Sequence, residues 1–187
     1  MKFKINKLKL EVIDTYYKWE IWKTLFDNTI FSDEMFNKCP FVNHYIEESL
    51  IKSILLSMMT LIDPVKTARN ENLTFTEFKS DHRVADKIEE ICRIIGQGKE
   101  VRNKVFAHND MGVAIGTCAD PMVGIANHEL DNAFVLMFDI LECFGEKIDK
   151  KSCDARISRG ITKYLSLFRY DFLIDIKHGD APDALDR

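Results

Sequence analysis

Leu8-Lys9-Leu10-Glu11-Val12-Ile13-Asp14-Thr15-Tyr16-Tyr17-Lys18-Trp19-Glu20-Ile21-Trp22-Lys23-Thr24-Leu25-Phe26 is the stretch that decides how the rest of the chain is read. Within it Leu8, Val12, Tyr16, Trp19, Trp22 and Phe26 return every three or four positions, with charged residues between them. That spacing puts the apolar side chains on one face of an α-helix and the charges on the other, so a long amphipathic first helix is expected. Such a helix needs partners that cover its stripe, and the remaining sequence supplies more helical periods instead of alternating strand patterns.

A second helix is predicted over about Val42 to Ile62, apolar on most sides through Ile46, Leu50, Ile54, Leu55, Met58 and Leu61, and therefore central and buried. Pro64 ends it, because the residue before a proline is pushed out of helical geometry. Asn28 to Pro40 reads as a connection, Asn70 to Leu73 as a turn, and Thr74 with Glu77 as a capping box opening a short third helix. From Arg83 to about His108 the stripe Val84, Ile88, Ile91, Ile95, then Val101, Val105 and His108 keeps helical spacing, with a kink or break expected at Gly96 and Gly98. Residues 113–126 form a loop or small hairpin. Asn127 caps a further helix through Phe144, and Ser152 or Ser158 begins a last one ending near Gly179. The sum is one all-α domain over 1–187, an up-and-down helical bundle of about five to seven helices.

Composition narrows the function classes. The chain has 187 residues, is 46% apolar and holds only 8 Gly and 4 Pro, a helical profile at the size of one domain. The longest apolar run, Ser53 to Ile62, falls well short of the roughly 20 residues that a membrane span requires, so no membrane partner is expected. Lys2, Lys4, Lys7 and Lys9 resemble a signal-peptide head, but Glu11, Asp14, Lys18 and Glu20 interrupt the stretch that should be continuously apolar, and no secretory leader is expected. Five cysteines without a C-x-x-C pair fit buried thiols in a reducing, cytoplasmic setting.

The formal net charge of −4 hides an uneven distribution. Residues 1–10 carry four lysines and no acid, residues 147–177 carry eight bases against four acids, and residues 11–146 carry 13 bases against 23 acids. An anionic ligand must therefore be met locally.

Arg102-Asn103-Lys104-Val105-Phe106-Ala107-His108 is the sharpest chemical feature. An arginine followed by histidine after four to six intervening residues is a loose pattern, expected roughly half a time by chance in a chain with eight arginines, so its context matters. His108 falls where the carbonyl end of a helix is expected, which favours imidazolium and keeps its titration near neutral pH. Arg102 supplies a permanent charge whose planar fork suits phosphodiester and phosphorane oxygens. Residues six apart on a straight helix differ by about 240° and about 9 Å, so convergence on one phosphate points to a two-fold dimer in which both protomers contribute. The structural alternative is a helix-terminal histidine satisfied by a carboxylate such as Asp110.

These residues, continued as Ala107-His108-Asn109-Asp110, resemble the Arg-polar-x-His signature of HEPN domains, the higher eukaryotes and prokaryotes nucleotide-binding superfamily. Leu61-Ile62-Asp63-Pro64, the segment Asn70-Glu71-Asn72-Leu73-Thr74-Phe75 and the order of helices are similar to the AbiU-type abortive-infection branch, over about residues 10–145. The resemblance implies a HEPN-like bundle, a homodimer and, in active members, a metal-independent endoribonuclease acting as a toxin in phage defence or a toxin–antitoxin system, with an antitoxin protein as partner. It assigns catalysis to Arg102, Asn103 and His108, with RNA as substrate and no cofactor or metal. The other reading from the same fold is a non-catalytic dimeric binding or regulatory module.

Lys104, Asp110, Lys147, Lys150, Lys151, Arg156 and Arg159 are further candidates for RNA contact, with Lys163 and Arg169 in the same basic segment and Tyr164, Phe168 and Tyr170 available for stacking. The competing expectation is that these aromatics are core and the bases merely solvated. Asp171, Asp175 and His178 share a helical face with metal-ligand spacing, but three ligands from one helix more often mark a solvated surface. Trp19 and Trp22 are expected in the core or a dimer interface, and Asp63 as a helix-ending residue.

Overall fold

The structure is a computed structural model that describes residues 1–27, 40–67, 70–96 and 125–161. The described chain is mostly helical, and the all-α expectation holds. It divides into a unit Met1–Ile148 and a unit Asp149–Arg187.

In the first unit, α1 (Lys2–Trp22) buries Ile5, Leu8, Val12, Thr15, Tyr16 and Trp19 and continues into a π-helical turn, Lys23–Asp27. The helix starts ahead of the predicted stripe because Ile5 extends that stripe by a turn. Lys4 and Lys9 on the same segment are held by Glu77 and Glu146, at 2.7 and 3.0 Å. The wider π turn shifts the helical phase so that Leu25 and Phe26 are both buried.

Helix α2 (Pro40–Ile62) begins on a proline, whose missing N–H costs nothing at the first helical position. The expectation of burial along its length is corrected. Its second half buries Ile54, Leu55, Met58, Met59, Leu61 and Ile62, whereas Phe41 and Tyr45 are 90% and 73% exposed and Ile46 and Leu50 are only half-buried. Apolar residues all around a helix show that it wants cover, and cover depends on which neighbours reach it.

After Pro64 the chain makes a minimal antiparallel ladder that no sequence pattern announces, β1 (Lys66–Thr67) against β2 (Asn70–Glu71), pairing Lys66 with Glu71 and Thr67 with Asn70. Asn72 closes it, its backbone N–H donating to Val65 O and its side-chain amide to Pro64 O. The predicted third helix is reduced to a 3₁₀ turn, Phe75–Phe78, capped by Thr74 through the Thr76 N–H, while the Glu77 carboxylate takes Lys4 from α1.

Helix α3 (Ala85–Gly96) buries Ile88, Ile91, Ile94 and Ile95 and turns Lys87, Glu89, Glu90 and Arg93 outward. Helix α4 (Asn127–Cys143) buries Leu130, Ala133, Phe134, Met137, Ile140 and Leu141, the predicted stripe. Its N-cap is Ala126 and not Asn127, and the Glu129 carboxylate reaches back to accept from the Ala126 N–H. Its C-terminus closes as a Schellman turn, with Gly145 at φ 87° and the N–H groups of Gly145 and Glu146 donating to the carbonyls of Glu142 and Leu141.

Within this unit α1 packs on α2 and α4, and α3 packs on α2 and α4. Lys87–Asp139 and Arg93–Glu129 pairs show α3 antiparallel to α4, and Tyr16–Phe134 with Lys9–Glu146 show the same for α1. Tyr16 sits edge-on to Phe134 and Phe138 at 5.3 and 5.1 Å, at the α1–α4 contact. In the second unit residues 150–161 are helical and form α5. Its start is capped by Asp149, whose carboxylate accepts from the Ser152 N–H and whose carbonyl accepts from the Cys153 N–H, so neither Ser152 nor Ser158 is the cap.

Candidate functional site

Arg102, Asn103, Lys104, His108 and Asp110 lie outside the described residues, as do Lys163, Tyr164, Phe168, Arg169, Tyr170 and the Asp171, Asp175, His178 set. The predicted break at Gly98 and the loop or hairpin up to residue 124 lie outside them too. The described residues hold the frame that carries the other two motifs, and the basic segment after α4.

Leu61-Ile62-Asp63-Pro64 and Asn70–Phe75 form one hydrogen-bonded clasp. Thr74 Oγ1, fully buried, donates to Leu61 O at 2.8 Å, and Thr76 Oγ1 donates to Asp63 O at 2.8 Å. Both acceptors are carbonyls at the C-terminal end of α2, where a helix has no intrahelical donors left to offer. Phe75, also fully buried, anchors the clasp. These motifs therefore position α2 and its neighbours, in line with the helix-ending reading of Asp63.

A depression of about 340 Å³ runs beside the clasp, lined by Glu11, Thr60, Leu61, Asp63, Glu71, Asn72 and Leu73. Three carboxylates and no base make it repel a phosphate. Another, of about 330 Å³, lies between Met1, Lys2, Ile5, Phe144, Gly145 and Glu146. Its carboxylate, Glu146, is engaged by Lys9.

Cations on the first unit are mostly neutralised. Lys4, Lys9, Lys18, Lys23, Lys52, Lys66, Arg83, Lys87, Arg93 and Lys147 each pair with a carboxylate, leaving Lys2, Lys7 and Lys79 among the described lysines and arginines of that unit. Lys7 leans over the Phe3 ring at 5.9 Å. Asp131 is a hub that the sequence pattern does not signal. Its Oδ1 accepts from Trp19 Nε1 at 2.7 Å and from Lys23 Nζ at 2.8 Å, and Lys23 lies over the Trp19 ring. Burial opposes the charge on Lys23, yet the hydrogen bonds that it donates to Asp131 and Glu20 hold its pKa above the ordinary value. Trp19 is thus a core residue with its N–H satisfied, stacked on Trp22 at 5.1 Å. Asp81 is gripped by Arg83 through side chain and backbone, which lowers its carboxyl to about 2.

The basic segment is different in kind. Lys147 makes only a long 4.0 Å contact with Glu142. On α5, Lys150, Lys151, Arg156 and Arg159 are all exposed, while Cys153 and Ile161 are buried. Among the described residues, Lys151, Arg156 and Arg159 have no carboxylate partner, and Arg159 Nε donates to Ala155 O at 3.1 Å. No group of three or more His, Cys, Asp or Glu side chains placed to hold a metal occurs among the described residues, and Cys92, Cys143 and Cys153 form no disulfide there. No described helix is long and apolar enough to cross a membrane.

Compared with known proteins, the sequence matches no family model, and no curated protein or solved structure matches it either.

Proposed function

We propose that this chain is a metal-independent endoribonuclease of HEPN type, acting as a toxin in phage defence or beside an antitoxin protein. One observation carries the reading: Arg102-Asn103 through His108-Asn109-Asp110 occurs in a chain whose described residues are mostly helical and that also holds the Asp63-Pro64 and Asn70–Phe75 motifs of the same resemblance. In this reading the ribose 2′-hydroxyl attacks the adjacent phosphorus and the 5′-oxygen leaves. His108 accepts the hydroxyl proton or delivers one to the leaving oxygen, Arg102 stabilises the phosphorane, and Asn103 orients phosphate or ribose. The six-residue spacing calls for two protomers around one phosphate, so the active form is a homodimer.

A second reading, a non-catalytic dimeric binding module, is favoured by the first unit's surface, where most cations are already paired and the depression beside the clasp is lined by carboxylates. Incubation of the purified chain with RNA in EDTA separates the two. The nuclease reading expects products with 2′,3′-cyclic phosphate and 5′-hydroxyl ends, resistance of DNA, and a loss of about 10²–10³ in rate for Arg102→Ala and for His108→Ala. Cleavage that needs Mg²⁺, leaves 5′-phosphates or persists in both variants overturns it. Sedimentation as a monomer with and without RNA overturns the shared site.

A further inference from the structure

We propose that the outer face of α5 is a phosphate-binding rail, in which Lys151, Arg156 and Arg159 hold the RNA strand without taking part in bond cleavage. The choice of RNA as the polyanion rests on the ribonuclease reading above, while the rail itself rests on the described helix.

Angular position on the helix defines the rail. At about 100° per residue, Lys151, Arg159 and Arg156 fall within an arc of about 140°, and they span about 12 Å along the axis. The buried Cys153 and Ile161, with the half-buried Ile157, lie on the opposite side. Neither described acid of this segment, Asp149 or Asp154, shares the outer arc. Asp149 is spent on capping the helix through the Ser152 N–H, and Asp154 falls close to the angle of Ile161. Between the cations the outer arc carries Ser152 and Ala155, side chains short enough to let a nucleic-acid backbone approach.

Charge then selects the ligand. A helix that places bases three or four residues from acids neutralises itself, as Lys18–Asp14, Lys52–Glu48 and Arg93–Glu90 do in the first unit. On α5 Asp154 stands three residues from Lys151 but lies about 60° off the arc, and no ion pair joins Lys151, Arg156 or Arg159 to a described carboxylate, so their positive potential is available to a partner, and a row of cations without paired carboxylates complements a row of phosphates. Arg159 is held along the helix by its Nε bond to Ala155 O, which leaves its two terminal nitrogens to a phosphate. Lys150 is outside the rail because it falls at the angle between Ile157 and Ile161.

The test uses the full chain and a fluorescent single-stranded RNA of mixed sequence, 2′-O-methylated so that it cannot be cut, with anisotropy read over a salt series. The variant Lys151→Gln/Arg156→Gln/Arg159→Gln is expected to bind at least about tenfold more weakly, and to flatten the slope of log K against log salt by about 2. The charge-keeping variant Lys151→Arg/Arg156→Lys/Arg159→Lys is expected to restore most of that affinity, which a purely structural role of these side chains does not predict. If cleavage of unmodified RNA is seen, the triple Gln variant should raise KM and keep kcat at saturating RNA. Unchanged affinity and slope overturn the rail, even if Arg102→Ala and His108→Ala still abolish cleavage. Lost binding in the triple variant with no cleavage by any form supports the rail and removes the nuclease reading. Binding to vesicles of anionic phospholipid that depends on the three residues, with none to RNA, overturns the RNA assignment.

Discussion

The Met1–Ile148 unit and α5 meet the same problem, lysine and arginine on the solvent side of a helix, and solve it in opposite ways. In the first unit most of the described cations are taken up by carboxylates, some a turn away, such as Asp14 for Lys18, and others far along the chain, such as Glu146 for Lys9. On the outer arc of α5 they have no carboxylate partner among the described residues. Exposed pairs contribute little to stability, so the difference is not chiefly one of folding energy. It is a difference in free charge: most described cations of the first unit are already neutralised, whereas those on the outer arc of α5 keep their charge for a polyanion.

The largest expected effect separates structural from functional residues across the two regions. Phe134→Ala, which empties the Tyr16–Phe134–Phe138 contact, should cost about 3–5 kcal/mol in urea unfolding. Arg156→Gln with Arg159→Gln should stay within about 0.5 kcal/mol per site. A comparable loss from the arginine variants would mean that α5 needs them for folding, and the contrast would break.

A smaller effect asks what holds the first unit together if its ion pairs do not. Thr74→Ala removes the buried hydroxyl that donates to Leu61 O and accepts from Thr76 N–H, and should cost about 1–2 kcal/mol. Thr74→Ser should recover most of it. Lys18→Ala, at a half-exposed pair with Asp14, should change the unfolding free energy by no more than about 0.5 kcal/mol.

The smallest effect is a pH signature of pairing. The Arg83 grip lowers Asp81 to about 2 from an ordinary 3.8, so the folded state binds its proton less readily than the unfolded chain. The stabilisation is therefore fully present above the unfolded value and is lost as pH falls through the folded one, in the window from about 4 down to about 2. A carboxyl-carbon NMR titration should place Asp81 near 2, and Arg83→Gln should return it toward 3.8. An unmoved midpoint in the variant would show that the pair does not hold the charge in solution.

Much of the fold is legible in the sequence because helical periodicity is a local property. The α1 stripe from Leu8 to Trp19, the α4 stripe from Leu130 to Leu141 and the stop at Pro64 follow from spacing and from the geometry of proline. The Arg102–His108 signature is likewise a sequence pattern, and its expected chemistry comes from residue types and resemblance. The basic segment is visible as composition, but composition counts Lys147, Lys150, Lys151, Arg156 and Arg159 alike.

From the order of residues alone come the set of helices, their apolar stripes and the chemistry available to the motifs. Packing had to select which half of α2 is covered, that Lys4 meets Glu77 across 73 residues and Lys9 meets Glu146 across 137, and that Trp19 satisfies its N–H on Asp131. The folded helix likewise uses Asp149 as its cap and sets which cations of α5 face solvent. Range explains the division. A residue's helical phase is set by neighbours three and four positions away, whereas its burial and the partner of its charge depend on whichever distant segment packing brings opposite it.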